Sequence, residues 1–163
     1  MEDVNVLKID KEDTQRGKYL SFKIEKEKFG LEIKYVVEII GIQKITEIPQ
    51  QPQYVKGIIN LRGKIVPTVD VRMRFNKNER EYDDRTCIIV VEINEKSVGF
   101  VVDRVLEVLE IQNDNISPPP SFTQDYENRY IAGIGKQAND VYILLDCNSL
   151  LSSDEMKRID VIA

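Results

Sequence analysis

The sequence predicts an all-β (mainly β) protein of two related small barrels, and three features of the 163-residue chain support this. Isoleucine and valine together number 38, against 10 leucines and 3 alanines, and β-branched residues favour strands over helices. Apolar and polar residues alternate along much of the chain, which is typical of half-buried strands. The strand pattern of the first half also recurs in the second half, which indicates an internal repeat.

The first copy begins after residues 1–17, a charged segment without periodicity that predicts a flexible N-terminal tail. Apolar residues occupy every second position over Leu20–Ile24, which predicts a strand with one buried face. Polar residues at Glu25–Lys28 predict a turn, and the alternation resumes over Phe29–Ile33. The copy therefore opens with a β-hairpin.

The rest of the first copy predicts three more strands. Residues 36–48 are rich in valine and isoleucine and favour a third strand, and the prolines that follow mark a loop. Residues 57–71 predict a second hairpin that turns at Arg62-Gly63. Residues 72–85 are mostly charged and predict a short helix or linker.

The second copy repeats this order of elements. Its strands are predicted at residues 87–93, 98–102, 105–111, 130–134 and 141–145. A proline-containing loop is predicted at residues 112–129. Ser152 and Glu155 fit a capping box, so residues 152–159 predict a C-terminal helix.

Two fixed shifts align the copies. A shift of 69 residues places Leu20 on Ile89 and Gly30 on Gly99, and after the proline loop a shift of 76 places Asp70 on Asp146. Five short strands per copy can close into a small barrel, which removes exposed edges. We predict barrels at residues 18–85 and 86–148, which can exchange strands at their junctions and which share apolar surface because each alone would bury little core.

The composition excludes several classes of function. The chain has no histidine, which removes Ser-His-Asp and Cys-His catalysis, histidine-ligated metals and phosphohistidine transfer. No apolar run reaches the roughly 18 residues of a membrane span, and no secretory leader is recognisable. A net charge of −5 argues against nucleic acid or anionic lipid as a partner.

No catalytic constellation stands out among the remaining residues. Cys87 and Cys147 lie far apart without CxxC spacing, so both are predicted to be reduced, buried thiols. The acidic pair Asp83-Asp84 is interpreted as part of a solvated linker rather than a metal or phosphate-acceptor site. An enzyme that uses a carboxylate pair is the alternative, but we expect no metal, no cofactor and no small-molecule substrate.

Comparison of the two hairpin tips singles out Arg62. Its position in the second copy is taken by Ala138, so the turn itself does not need arginine. The turn does need a residue that accepts positive φ, and Gly63 and Asn139 are predicted to supply it. Arg62 is then either a solvent-facing turn residue or a guanidinium anchor in an interface.

Further candidates lie in the strands. Gly57 and Gly133 take the same place in both copies, which indicates a backbone requirement. Four apolar residues lie in strands with two fairly apolar faces: Val36, Ile39, Val105 and Val108. Because only one face of a barrel strand points inward, some of them must face a groove between the barrels or a partner.

Residues 54–72, YVKGIINLRGKIVPTVDVR, resemble the signature of the CheW family of bacterial chemotaxis coupling proteins. Further matching residues are Phe29–Ile33, Val36, Glu38, Ile39, Val98–Asp103, Val105, Val108, Pro118-Pro119, Tyr130–Gly133, Ile143–Asp146 and Leu150-Leu151. The resemblance covers residues 18–160, and it implies one CheW-like domain of two SH3-like five-stranded barrels. A C-terminal helix and tail would take residues 149–163.

The resemblance implies a non-enzymatic adaptor in chemotaxis signal transduction. Its partners would be the regulatory domain of the histidine kinase CheA and the cytoplasmic tip of methyl-accepting chemoreceptors. It would be cytoplasmic, without membrane insertion, and recruited to membrane receptor arrays. The alternatives are a regulatory-domain fragment of a CheA-type kinase and a CheV-like adaptor without its receiver domain. Against the first, the chain has no phospho-accepting histidine and no ATP-binding glycine motif.

The resemblance also implies site residues. Receptor contacts would fall on Val36, Glu38, Ile39, Gly57, Arg62 and Val108. Kinase contacts would fall on Ile45, Gly99 and Gly133.

Overall fold

The computed structural model describes residues 16–119, 130–151 and 157. Its strands are β1 (Lys18–Ile24), β2 (Glu27–Glu32), β3 (Val36–Gly41), β4 (Val55–Leu61), β5 (Lys64–Asp70), β6 (Cys87–Ile93), β7 (Lys96–Val102), β8 (Arg104–Glu110), β9 (Ile116–Ser117), β10 (Ile131–Gln137) and β11 (Asp140–Leu145). The helices are α1 (Val71–Arg74) and α2 (Cys147–Leu150), with 3-10 turns at Ile33–Tyr35 and Asn113–Asn115. The predicted mainly-β class is confirmed.

The strands form two sheets, and each sheet contains strands of both sequence copies. The six-stranded sheet has the order β8-β1-β2-β11-β10-β9, and the five-stranded sheet has the order β3-β6-β7-β5-β4. The first hairpin of each copy is exchanged, because β2 pairs in parallel with β11 and β5 pairs in parallel with β7. The boundary predicted near residue 85 therefore does not separate the sheets, and one sheet has six strands instead of five.

Both sheets curl, because short segments of chain join their opposite edges. β8 and β9 lie at the two edges of one sheet, yet only five residues separate Glu110 from Ile116. A flat sheet would hold these edges about 24 Å apart, whereas six residue steps span at most about 21 Å. In the other sheet, Thr46 lies shortly after β3 and exchanges two 2.9 Å hydrogen bonds with Ile58 of β4. Closure into complete SH3-like barrels stays a prediction.

The hydrophobic core of the described residues has three parts. The largest lies between the sheets and includes Leu20, Phe22 and Phe29 from one sheet and Ile89, Val91 and Phe100 from the other. A second packs Ile59, Val66, Ile88 and Val90 within the five-stranded sheet. A third packs Leu109, Ile111, Tyr142 and Leu144 within the six-stranded sheet. The sheets thus share their largest apolar cluster, as expected where each unit alone could bury little surface.

The repeat is visible in the two helix caps. The Asp70 carboxylate accepts a hydrogen bond from Met73 N at 3.2 Å, and the Asp146 carboxylate accepts one from Asn148 N at 3.0 Å. Both aspartates are N-caps of short helices that follow equivalent strands.

The Arg74 guanidinium lies over two matched rings, 5.1 Å from the Tyr54 centroid and 5.6 Å from the Tyr130 centroid. The two copies therefore meet around Arg74.

Some predicted segments differ in the structure or fall outside it. The predicted loop at 112–129 contains β9, which pairs with β10, because Ile116 packs on the third core cluster. The short helix α2 was not predicted. The predicted helix at 152–159 lies outside the described residues except for Lys157, and the predicted tail at 1–17 lies outside them except for Arg16 and Gly17.

Both cysteines are free thiols, but only Cys147 is buried, and Cys87 is half-buried. The prediction of burial is therefore right for one of them. Burial raises the pKa of the Cys147 thiol to about 12.

The Cys147 thiol is expected to resist modification in the folded protein, because at pH 8 it is protonated and buried. A Cys87→Ser variant isolates it, and a chromogenic disulfide reagent then counts reactive thiols before and after denaturant is added. The expected counts are zero in the folded protein and one in the unfolded protein. Full modification of the folded variant within minutes contradicts this expectation.

Candidate functional site

Strand β3 carries two apolar residues, Val36 and Ile39, on the side that faces the other sheet. Val36 pairs with Val91 and Ile39 pairs with Ile89, and the register shifts between the two pairs. Directly opposed residues of an antiparallel pair share a face, and Val91 and Ile89 belong to the cluster between the sheets. The bulge therefore gives two residues three positions apart the same orientation.

Strand β8 repeats this arrangement in the other sheet. Val105 pairs with Phe22 and Val108 pairs with Leu20, again with a register shift between them. Phe22 and Leu20 also belong to the cluster between the sheets. The Ser21 hydroxyl supports the bulge, since it donates a 2.7 Å hydrogen bond to the carbonyl of Glu107 and accepts one of 3.1 Å from the Glu107 amide.

We call Val36, Ile39, Val105 and Val108 the intersheet rim. Val36 and Val105 pack against the cluster between the sheets. Ile39 and Val108 share that face but are 43% and 51% exposed. Both strands are sheet edges. The intersheet rim thus extends the core to the surface, where exposed apolar side chains favour contact with another protein.

The structure brings Glu38 and Arg62 together. The Arg62 guanidinium donates from Nη2 to Glu38 Oε1 and from Nη1 to Glu38 Oε2, the latter at 3.4 Å. The hydrogen bond to Glu38 raises the pKa of Arg62. The Arg62 side chain is 71% exposed, so its guanidinium is accessible to a partner. The pair links the tip of the β4–β5 hairpin to β3, at the residue that precedes Ile39 in the sequence.

The backbone of the two hairpin tips corrects one prediction. Arg62 and Gly63 have φ of +52° and +87°, as a two-residue hairpin loop requires. In the second copy the positive φ of +55° belongs to Ala138, and Asn139 is not in the left-handed region. Arg62 therefore takes a backbone conformation that its side chain does not favour.

The predicted glycines, Gly57, Gly99 and Gly133, are buried, so they present no open surface to a partner. A Cβ on Gly57 would lie 2.0 Å from the Thr46 carbonyl oxygen, and one on Gly133 would lie 3.0 Å from the Ser117 carbonyl oxygen. A Cβ on Gly99 would lie 2.8 Å from Ile88 Cγ2. The lack of a side chain permits this close backbone packing, and a role of these glycines in partner contact stays a prediction.

Ile45 is half-buried and packs against the cluster inside the five-stranded sheet. It lies one residue before the Thr46–Ile58 bridge. The structure therefore places these three residues, Ile45, Gly99 and Gly133, in contacts within their own sheets. Their role in kinase contact stays a prediction.

A buried ionic cluster around Arg72 was missed by the sequence analysis. The Arg72 side chain is 6% exposed and that of Asp103 is 13% exposed. Arg72 donates from Nη2 and, at 3.2 Å, from Nε to Asp103, and from Nη1 to Glu25 at 2.7 Å. Burial acts to lower the pKa of Arg72, but the bonds to both carboxylates outweigh it and raise that pKa. Thirty-one positions separate Arg72 from Asp103, a spacing without a local sequence signal.

Metal ligands, the acidic pair and membrane-spanning helices were sought among the described residues. No group of three or more histidine, cysteine or acidic residues among them could hold a metal ion. Asp83 accepts hydrogen bonds from the amides of Arg85 and Thr86 at 2.8 and 3.2 Å, and the bond from Arg85 is the main cause that lowers its pKa. No helix in this part of the chain is long and apolar enough to cross a membrane.

An exposed apolar rim on two curled sheets with a shared core favours the binding of another protein. The model of the CheW-like domain matches residues 18–155. The chain therefore belongs to the CheW-like family, and the resemblance carried by residues 54–72 is confirmed.

Known relatives agree with this assignment. The chain is 37% identical over 151 residues to the chemotaxis protein CheW of Klebsiella aerogenes, covering 93% of this chain and 91% of the relative. It is 31% identical over 137 residues to the chemotaxis protein CheW of Bacillus subtilis, covering 84% and 88%. The crystal structure of the scaffolding protein TtCheW from Thermoanaerobacter tengcongensis superposes with a TM-score of 0.78 at 36% identity, covering 85% of this chain and 94% of that one.

Proposed function

We propose that this protein is a non-enzymatic chemotaxis adaptor that binds the cytoplasmic tip of chemoreceptors and the regulatory domain of the histidine kinase CheA. Support comes from the family, whose members named above are chemotaxis and scaffolding proteins. The observation that carries the proposal is the intersheet rim, where both copies expose an apolar residue beside the shared core. The protein would act in the cytoplasm, recruited to receptor arrays.

The receptor tip would bind along the intersheet rim. An amphipathic helix presents apolar side chains three and four positions apart, and these can pack on Ile39 and Val108. Arg62 would fix the position of the helix, since a guanidinium has five N–H donors and Glu38 takes only two of them. Glu38 would thus hold Arg62 in place for the receptor. Gly57 would act indirectly, through the packing of the β4 backbone.

The kinase would bind at a separate surface, so that both partners can be held at once. The residues implied for it, Ile45, Gly99 and Gly133, lie in packed positions of both sheets. A related β domain could dock on the sheet ends that these residues shape. The proposal requires only that this surface does not overlap the intersheet rim.

Titration of labelled protein with the two partners, separately and together, tests the proposal. The partners are a receptor cytoplasmic fragment and the kinase regulatory domain. We expect each to bind alone and both to bind simultaneously in a ternary complex. Mutual exclusion of the two partners would contradict an adaptor that bridges them.

Arg62→Ala is expected to weaken receptor binding about tenfold and to leave kinase binding and the thermal unfolding midpoint unchanged, because the guanidinium is exposed. Arg62→Lys keeps the charge without the planar fork, so its affinity should be intermediate. Lys136→Ala, which removes an exposed cation beside the equivalent hairpin tip, is the control and should bind normally. Undiminished binding of Arg62→Ala removes Arg62 from the site.

A regulatory-domain fragment of a CheA-type kinase is not favoured. The chain covers 91% of the Klebsiella aerogenes relative and 94% of the TtCheW chain. It therefore matches CheW proteins over nearly their whole length.

A further inference from the structure

We propose that Arg72 is a positioning residue for the receptor-binding rim, an inference that rests on the receptor site proposed above. By holding Asp103, Arg72 fixes the point where the chain enters β8, and so fixes the Val105 and Val108 half of the intersheet rim. Among the described residues, no buried ion pair holds the crossover into the half formed by Val36 and Ile39, so this half adjusts to the partner.

Within the described residues, the chain passes from one sheet to the other at two points. Ile33–Tyr35 leads from β2 into β3, and Asp103 leads from β7 into β8. The shift of 69 residues matches Asp103 with Lys34, so the two crossovers are equivalent. Each strand of the intersheet rim begins directly after a crossover, so a displacement of the crossover moves the rim.

The crossover into β8 is held by several hydrogen bonds. The Asp103 carboxylate accepts bonds from Arg72, from Arg80 Nη1 at 3.4 Å and from the Glu25 amide at 2.8 Å. Arg72 follows β5 in one sheet, and Glu25 lies in the β1–β2 turn of the other. One buried guanidinium therefore ties both sheets to the crossover. Such bonds between charged groups are stronger and more directional than neutral ones.

The equivalent crossover is held more weakly. The shift of 76 residues, which matches Asp70 with Asp146, matches Arg72 with Asn148. Ile33 and Tyr35 pack against the cluster between the sheets, but the polar contacts of this crossover are exposed. The Asn148 amide donates a 3.3 Å hydrogen bond to the Tyr35 hydroxyl, and Lys34 lies 3.5 Å from Glu32 with side chains that are 58% and 45% exposed. Exposed hydrogen bonds and ion pairs contribute little to stability. The two halves of the intersheet rim thus differ in rigidity, although their apolar residues match.

Hydrogen exchange of the full chain, followed by mass spectrometry, tests the anchor without any partner. Arg72→Met removes the guanidinium and keeps most of the apolar stem, and Asn148→Ala changes the repeat-equivalent position. We expect Arg72→Met to increase exchange in β8 at least fivefold relative to β3, and to weaken binding of a receptor fragment about tenfold. Asn148→Ala should leave β8 unchanged. A folded Arg72→Met protein with native exchange in β8 overturns the proposal.

A double variant separates positioning from stability. Arg72→Met alone leaves Asp103 buried without its main partner, which destabilises the fold and can prevent folding. Arg72→Met/Asp103→Leu removes both charges, and such replacements are often neutral for stability. We expect its unfolding midpoint to return toward the wild type while β8 exchange stays raised and receptor binding stays weak. Recovery of binding together with stability shows that Arg72 acts on stability alone, and overturns the proposal.

The readouts distinguish this proposal from the proposed function. Failure of the adaptor function is seen in the wild-type chain, which then does not bind the receptor fragment. Failure of the positioning role is seen in the variants, when binding or β8 exchange does not change although the wild-type chain binds.

Discussion

Gly57→Ala is expected to destabilise the protein by about 4 kcal/mol or more, a size reached only by severe single substitutions. Gly57 has φ of +145°, a conformation that side chains rarely adopt. The new Cβ would lie 2.0 Å from the carbonyl oxygen and 2.7 Å from the carbonyl carbon of Thr46. Because both are backbone atoms, the segment must move, and the Thr46–Ile58 bridge that joins the sheet edges would break.

Chemical denaturation of Gly57→Ala and of a matched glycine variant measures this effect. Gly41→Ala is the control, since an added Cβ at Gly41 meets no atom within 4 Å. We expect that control to stay within about 1 kcal/mol of the wild type. A loss below about 1 kcal/mol in Gly57→Ala would show that the Thr46 segment can give way, contrary to the packing described.

Reduced receptor binding in a Gly57 variant would follow from lost packing and not from a lost contact. Replacing a contact residue weakens the binding of one partner. Replacing a residue needed for packing unfolds part of the protein population and so weakens the binding of every partner. Gly57→Ala should therefore reduce receptor and kinase binding together, in proportion to the unfolded fraction. Arg62→Ala should reduce receptor binding alone. The two residues belong to one predicted site, but their surroundings differ, because Gly57 packs against the Thr46 backbone whereas the Arg62 side chain is exposed.

The repeat made much of the fold predictable. The matches of Asp70 with Asp146 and of Gly57 with Gly133 both follow from the shift of 76 residues, and they correspond to helix caps and close backbone approaches. These positions depend on local requirements: an oxygen that caps a helix, or a backbone without a Cβ. A local requirement leaves the same residue type in both copies.

Other features depend on register or on distant contacts and were missed. Alternation with period two places residues three positions apart on opposite faces, so the bulges that give Val36 and Ile39 one orientation could not be seen. Strand exchange at the junctions was allowed by the prediction, but the identity of the exchanged hairpins follows from the parallel pairing of β2 with β11, which has no signal in the turns. The Arg72–Asp103 pair joins segments that meet only in the folded chain.

Charge placed on the intersheet rim is expected to abolish most of the receptor affinity. In Ile39→Asp and in Val108→Asp, a carboxylate would replace an apolar side chain at the centre of the proposed contact. Receptor binding would then have to desolvate that charge without a partner for it. We expect each variant to bind a receptor fragment at least about 30-fold more weakly, the size of a loss at an interface hot spot.

The fold should tolerate both changes, because Ile39 and Val108 are 43% and 51% exposed. Val141→Asp is the matched control: its side chain is 53% exposed, and it lies on β11, outside the intersheet rim. All three variants should show native circular dichroism and normal kinase binding, and Val141→Asp should also bind the receptor normally. Equal loss in all three would mean that added negative charge acts at long range, which high salt would relieve. Unchanged binding in Ile39→Asp and Val108→Asp would place the receptor on another surface.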